Sequence, residues 1–562
     1  LVNLPWKEMV AEFAYFIPMN IKMKLTPLKD ILIGDSTNIV MALIAGVVGT
    51  LFIAVANITN LFMARTAELQ ASYSIHASLG ASKSQLFKSI LVESALLMFL
   101  ALVVAFGIAL SGFQLMSTHL LELLPRVNEL SFNVFSLGIT GLLFVTFAWL
   151  FAKLSLNIVD YQNINSQLQS GNKGGRKQVS KTKRRFIIVS QISIATLLVF
   201  INLNLFIDAW KVINDPLSID IENSTRVEMS IDPTTTLSDD EKVQINKAIQ
   251  IALLNLPQVN RVSIADGSVF NGGTGFRDLK VKNGETTYPS SSRTIDENYF
   301  SIYQQQLLAG DFFSNDDIKD ENEVIIINET FAQKIAHNGS AIGLIIDFNG
   351  ESTYTVKGVI KSFKVPGEIE NENRIYFPGI SAESSLVIQL KKHTSLSRET
   401  FASLLKTVTS KYRVQVFESD IASQKKMLFI HFMILTATGS LALLTFFLAA
   451  IGLYGVLSYS TQLRQFEIGT RMAVGAKRAD LIKLIIKDNA SAILFGVLFS
   501  IGMLFLLVFA FSEQVSHYLT LQLLPVFLVT LAMISMLSLF ACYLPLRQYI
   551  NKPVIHALKG SE

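Results

Sequence analysis

Glu467 and Arg471 stand four residues apart in the segment Arg464-Gln465-Phe466-Glu467-Ile468-Gly469-Thr470-Arg471-Met472-Ala473-Val474-Gly475-Ala476. On a helix that spacing puts a carboxylate and a guanidinium on one face, where their pairing contributes about 0.3–0.5 kcal/mol. Gly475 then ends the helix without a Cβ penalty and lets the chain turn back. Such a segment is a stiff polar finger, suited to transmitting a push. Bond-breaking chemistry is hard to find elsewhere. These 562 residues contain no Gly-Lys dipeptide, so GxxxxGK[ST] and a phosphate cradle are ruled out within them. HExxH, CxxC and GxSxG are absent too, and the seven histidines are scattered singly. The one cysteine, Cys542, sits in an apolar run, so disulfides and cysteine-based metal sites are excluded. Asp266-Gly267-Ser268 and Asn271-Gly272-Gly273 are turn chemistry.

The finger is written twice. Gly80-Ala81 lies 395 residues before Gly475-Ala476 (475 less 80), and the same order of parts surrounds each copy. An apolar run (38–62, then 427–459) leads into a polar helical segment and the Gly-Ala break. A second apolar run follows (86–113, then 481–511), with Glu93 and Asp488 in register, and a third closes the set (132–155, then 523–547). Two quasi-equivalent membrane bundles are typical of transport machinery.

Half of the residues are apolar, 16% are charged and the mean hydropathy is +0.42, which places the chain among membrane proteins. About seven windows, centred near 50, 100, 144, 197, 442, 500 and 535, are long and apolar enough to cross a bilayer, which takes roughly 20 residues each. Lys and Arg crowd three connections: Lys173 to Arg185, Arg464 to Lys487, and Arg547 to Lys559. The positive-inside rule makes these cytoplasmic. The hairpins near Arg126 and Glu129, and near Glu513 and His517, then face outward. Over 208–424 acidic residues outnumber basic ones, so the positive charge lies with the membrane and cytoplasmic parts. The basic run at 173–185 reads as a solvated loop, not a nucleic-acid site.

The spans carry no evident line of polar or charged residues for a pathway. Glu93 and Asp488 read as acids near helix N-termini, stabilised by about 0.3–1 kcal/mol. Asn57, Asn60 and Gln191 read as interhelical hydrogen-bonding glue. The soluble stretch reads as α/β. Val324 to Ile327 suits a buried strand, with Asn328 starting a helix. Tyr354 to Ile360 and Tyr412 to Val416 alternate like half-buried strands, and Asp239 to Leu256 reads as an amphipathic helix stopped by Pro257. At about 215 residues this stretch can bury its own core.

The segment from Arg464 to Ala476 resembles the signature of the FtsX-like, MacB-type permeases of ABC transporters. The resemblance extends to Pro27 to Asp35, Ala56 to Leu61, Tyr299-Phe300, Leu307 to Phe312, Val324 to Glu329 and Arg184-Arg185-Phe186 with Gln191. In that family the finger meets the ATPase. This implies ATPase coupling through Glu467, Gly469, Arg471, Gly475 and Ala476, and through Gly80 and Ala81 in the first copy, where Ser72 and Ser74 replace Glu467 and Gly469.

The resemblance implies an α-helical membrane protein: two three-span repeats, one extra span and an α/β extracytoplasmic domain. The expected division is a remnant of a first periplasmic segment at 1–37, then the first repeat at 38–155 and a cytoplasmic basic loop at 156–185. The extra span at 186–208 and the periplasmic domain at 209–425 follow. The second repeat (426–548) and a cytoplasmic tail (549–562) complete it. A complete member of the long, duplicated branch has a further span and outside domain ahead of these. The implied setting is the bacterial inner membrane. The implied partners are a separate ABC ATPase, which holds the ATP and Mg, a periplasmic adaptor, an outer-membrane channel and the lipid bilayer. No cofactor is expected in this chain. The implied function is export of a peptide, antibiotic, toxin or lipophilic compound by movement of the outside domain. Lipoprotein extraction, or signalling to a cell-wall hydrolase, is the alternative.

Overall fold

A computed structural model describes residues 36–68, 72–73, 75–76, 79–121, 127–156, 181–232, 235–270, 275–282, 284, 286–320, 322–336, 339–348, 352–366, 372–463, 465–510 and 524–550. The segment expected as a remnant at 1–37 (up to 35), most of the basic loop, Arg126, the turn at Asn271 to Gly273, the hairpin near Glu513 and His517, and the tail beyond 550 lie outside the described residues. So do Ser74, Arg464 and the side chains of Asn60, Asp488 and Cys542.

The chain divides into a helical unit and an α/β unit, the latter running from Trp210 to Phe432. It begins with α1 (Ser36–Glu68), α2 (Lys83–His119), α3 (Val134–Leu156) and α4 (Lys181–Asn214). The α/β unit includes α5 (Asp239–Leu254) and α6 (Arg398–Val408), after which come α7 (Asp420–Leu463), the short α8 (Gln465–Ala473), α9 (Arg478–Ala510) and α10 (Leu524–Ile550). Among the described residues, five stretches, in α2, α3, α4, α7 and α10, are long and apolar enough to cross a membrane. In α1 and α9 the apolar stretches, Leu43–Thr59 and Ala490–Leu506, are shorter.

In the helical unit the two repeats meet through equivalent positions. Thr50 on α1 and Thr445 on α7, 395 residues apart, place their hydroxyls 3.1 Å from each other in a buried contact. One side of this pair has Gly46 against Leu441, again 395 apart (441 less 46). A Cβ on Gly46 would stand 2.6 Å from the Leu441 Cδ2. The other side has Asn57 against Gly452, also 395 apart (452 less 57), where a Cβ would stand 1.9 Å from the Asn57 Oδ1. Equivalent residues touch at several levels only when two copies face each other across an internal pseudo-twofold axis. Each copy supplies one glycine notch and one side chain that fills the other's notch, the close backbone approach that helix pairs in lipid favour.

Helix α4 backs this seam. Gln191 Nε2 donates to Asn57 Oδ1 at 2.7 Å, and Asn57 Nδ2 donates to the Leu448 carbonyl at 2.6 Å. Ser193 donates to the Gly496 carbonyl at 2.8 Å, and Leu198 fills the space over Gly49. Asn57 and Gln191 are therefore interhelical glue. The expectation that the spans lack a polar line needs correction. A row of neutral polar groups (Asn57, Gln191, Thr50, Thr445) does follow the seam, but these residues are buried and bond to one another and to backbone, with only Gln191 Oε1 among their buried side-chain atoms lacking a partner among the described residues.

A second expectation fails. Glu93 is not at a helix N-terminus: α2 starts at Lys83, with no acid in its first turn. Glu93 lies ten residues further on, beyond the turn over which the helix dipole acts. Ser82 caps this helix instead, its Oγ accepting from Gln85 N at 3.3 Å while its own N donates to Gln85 Oε1 at 2.8 Å.

The α/β unit is built on an 11-stranded sheet in the order β11-β1-β10-β2-β4-β3-β7-β8-β6-β9, with β5 paired to β8 and β9 also returning to β4. The strands are β1 (Ser224–Ile231), β2 (Val259–Ala265), β3 (Gly275–Val281), β4 (Thr287–Ile295), β5 (Leu307–Gly310), β6 (Val324–Asn328), β7 (Ile345–Phe348), β8 (Ser352–Ile360), β9 (Arg374–Pro378), β10 (Ser385–Leu390) and β11 (Tyr412–Ser419). Helices α5 and α6 cover one half, where Ile249, Leu253, Phe401 and Leu405 pack with Val262, Ile264, Leu386 and Ile388. The other half packs Ile325, Ile327, Phe331, Ile346, Val356 and Ile375. The apolar run at β6 is flanked on both sides, parallel by β8 and antiparallel by β9, which is why it does not alternate. Asn328 caps the helix after it by accepting from Phe331 N at 3.3 Å. Gly310 has φ +73 and a Cβ there would stand 2.1 Å from the Lys357 carbonyl, so the motif at Leu307 to Phe312 needs glycine. Helix α5 ends at Leu254, two residues before the expected end, because Pro257 pushes Leu256 out of helical geometry.

Candidate functional site: two matching fingers

Helix α8 is the finger. Glu467 and Arg471 pair on it at 2.8 Å, each 48% exposed. An exposed pair of this kind adds little to stability. It presents opposite charges to whatever meets the finger. On the opposite face Ile468 is buried with Leu481, with Met472 and Ala476 packed against them, and Gly469 is also buried. The end of the helix is a Schellman turn: Ala476 N donates to the Arg471 carbonyl and Gly475 N to the Met472 carbonyl, both at 3.0 Å. Gly475 has φ +96, with no heavy atom of the described residues within 4 Å of where its Cβ would be. Its conformation, not its surroundings, requires glycine.

The first copy repeats this turn. Ala81 N donates to the His76 carbonyl at 3.0 Å, and Gly80 has φ +99 in equally open space. Tyr73 and Leu86 are buried together, with Ala81 against them. These are the positions of Ile468, Leu481 and Ala476 in the second copy. The structure thus places Gly80, Ala81, Gly475 and Ala476 in two equivalent turns. The acid and base stand in the second turn alone, since Ser72 and His76 hold the equivalent places.

Sequence reasoning missed the residues at the tips. Val474 is 85% exposed and Leu79 is 80% exposed, and they too are equivalent positions (474 less 395). Each is the last residue before the left-handed glycine, so the Schellman turn aims it outward. The available signal was an apolar residue directly before the glycine in both copies.

Comparison with known proteins fits this duplication. The FtsX-like permease C-terminal model matches residues 44–159 and again 439–554, and the two matches begin 395 residues apart (439 less 44). The MacB-like periplasmic core domain model matches 186–410. The chain belongs to the FtsX-like, MacB-type permeases of ABC transporters, and its α/β unit is their periplasmic domain. Among curated relatives, the macrolide export ATP-binding/permease protein MacB of Pasteurella multocida is 25% identical over 335 residues, covering 55% of this chain and 49% of that protein. MacB of Aggregatibacter actinomycetemcomitans is 24% identical over 220 residues, covering 36% of this chain and 33% of that protein. The chain therefore spans half or less of the length of these relatives. Among solved structures, the periplasmic region of MacB from Actinobacillus actinomycetemcomitans aligns with 38% of this chain and 97% of its own at 16% identity, with a TM-score of 0.28. The extracellular domain of the ABC-type transporter YknZ aligns with 34% of this chain at 16% identity, with a TM-score of 0.25.

Proposed function

We propose that this chain is the permease subunit of an ATP-driven export complex of the bacterial inner membrane, with the ATPase on a separate polypeptide. The observation that carries the reading is the pair of apolar tips, Leu79 and Val474, held outward by two matching turns. What supports a protein contact is the recurrence of a large apolar side chain, more than three-quarters exposed, at the same place in both copies. Two of them, related by the internal repeat, fit a partner that is itself twofold: two ATPase subunits closing around ATP and Mg. Their closure pushes the fingers, the paired bundles rock about the Thr50–Thr445 seam, and the periplasmic domain moves. Because the polar seam is packed shut, cargo travels outside the bilayer, taken up at the periplasmic domain and passed to an adaptor and an outer-membrane channel. The cargo class is a peptide, antibiotic, toxin or lipophilic compound.

Photo-crosslinkers placed across the exposed positions of 209–425 test the cargo route. The expected outcome is ATP-dependent capture of cargo or adaptor. Capture along the bilayer-depth faces of α1 and α7 instead would contradict it. An acylated protein as captured cargo would identify lipoprotein extraction, and a cell-wall hydrolase with no cargo would identify signalling.

A further inference from the structure

The α/β unit contains a buried acid that the proposed finger mechanism does not use. Asp420 is the first residue of α7 and is fully buried. Its Oδ2 accepts from Ser224 Oγ at 2.7 Å and from Tyr303 Oη at 2.9 Å, while Oδ1 has no partner among the described residues. Burying a carboxylate costs several kcal/mol unless donors surround it, so an acid here is held for a geometric purpose or replaced. The purpose is legible in what it joins. Ser224 opens β1, about ten residues after α4 ends, whereas Asp420 opens α7. Ser224 lies 14 residues after the first passage between the helical and α/β units (224 less 210), and Asp420 lies 12 residues before the second (432 less 420).

Other contacts converge on the same point. Asp220, on the way from α4 to β1, donates its N–H to the Tyr303 carbonyl at 3.0 Å and accepts from Gln304 Nε2 at 2.6 Å. Asp215 pairs with Lys364 at 3.0 Å. Gln304 has φ +48 and Ser218 has φ +59, left-handed conformations that non-glycine residues adopt at a cost. Behind Tyr303, Tyr299 stacks edge-on at 5.1 Å and receives a hydrogen bond from buried Arg293 at 2.7 Å. Two residues before Asp420, Glu418 accepts from Ser423 at 3.2 Å and pairs with Lys426 at 2.5 Å, both on α7, and reaches Arg226 on β1 at 3.8 Å.

We propose that Asp420, Ser224 and Tyr303 form a joint that holds the incoming and outgoing stems of the periplasmic domain at one fixed spacing, so that the domain moves as a single body. This rests on the reading above for its purpose, but its geometry can be tested without ATPase or cargo. Asp420 is a positioning residue: it touches no substrate and acts through Ser224 and Tyr303.

The test uses the full chain in lipid nanodiscs with Cys542→Ser. Spin labels go on Glu222→Cys and Lys425→Cys, exposed positions on either side of the joint. The expected distance distribution in the parent is single and narrow. Ser224→Ala, Tyr303→Phe and Asp420→Asn each widen it roughly twofold or more, while Ser224→Thr, which keeps the hydroxyl, restores the parent width. Thermal unfolding of the Ser224→Ala and Tyr303→Phe proteins shifts by only a few degrees, as about one hydrogen bond predicts, so a folding defect is told apart from a loosened joint. A broad distribution in the parent, or an unchanged width in all three variants, overturns the joint. A narrow parent distribution that widens as described upholds the joint even if export proves to be the wrong activity.

Discussion

The first and second fingers share a backbone and differ in side chains. Both end in the same hydrogen-bonded turn, with glycine φ values of +99 and +96. Both pack an equivalent pair, Tyr73 with Leu86 and Ile468 with Leu481, and both expose one apolar tip. The second keeps the Glu467–Arg471 ion pair, where the first has Ser72 and His76. The helix after the first finger is capped by Ser82 and Gln85, whereas the helix after the second carries Asp480 in its first turn. Backbone shape and apolar tips have been retained through the duplication while charges have diverged. In the proposed reading, the shared features supply the common task of meeting a twofold partner, and the charges make the two contacts unequal.

The largest effect falls on the tips. Val474→Asp places a charge where the account requires a desolvated contact, at a cost of several kcal/mol, so co-purification of the ATPase is lost. Leu79→Asp weakens it severalfold less, because Ser72 and His76 stand at the places of Glu467 and Arg471 behind that tip. Equal losses would erase the inequality of the two fingers, and no loss at either would remove the docking role. Sizing pull-downs against purified ATPase reads both.

Next come the seam glycines, which probe whether the two copies depend on each other. Gly452→Ala forces a methyl onto Asn57 in the packed core and costs about 1–3 kcal/mol. Gly46→Ala meets the mobile end of Leu441 and costs less. Thermal unfolding in detergent ranks them, and the reverse order would contradict the seam.

The turn glycines are expected to behave alike. Gly475→Val and Gly80→Val each cost about 1–2 kcal/mol locally, from backbone conformation alone, since neither position is crowded. Hydrogen exchange at Ala81 and Ala476 would rise in the respective variant. A rise in one finger alone would show that the turns are not equivalent. The smallest effect is Glu467→Ala. It removes about 0.3–0.5 kcal/mol of helix pairing, leaves expression unchanged and lowers ATPase coupling, with no counterpart for Ser72→Ala.

The duplication, the fingers and several strands of the periplasmic domain were legible in the sequence, because each has a local signature: the Gly-Ala break, the Glu467–Arg471 spacing, the unbroken run at Val324 to Ile327. The seam was not, for a physical reason. In an apolar helix every face is apolar, so nothing in the residues around Thr50 says which side meets Thr445. Glu93 misled because the apolar run does not mark where the helix begins; the capping box at Ser82 does. Asp420 was invisible because an acid in a soluble segment reads as surface charge until its partners Ser224 and Tyr303, far away in sequence, are placed around it.

The central claim is that both tips enter one ATPase dimer. A photo-reactive phenylalanine analogue at position 79 or 474, in cells producing the chain, tests it most directly. The account predicts that both positions yield adducts with a polypeptide carrying GxxxxGK[ST], that the yield changes when ATP is depleted, and that position 474 gives the higher yield. Adducts with lipid or with periplasmic proteins at both positions, and none with an ATPase, would contradict it.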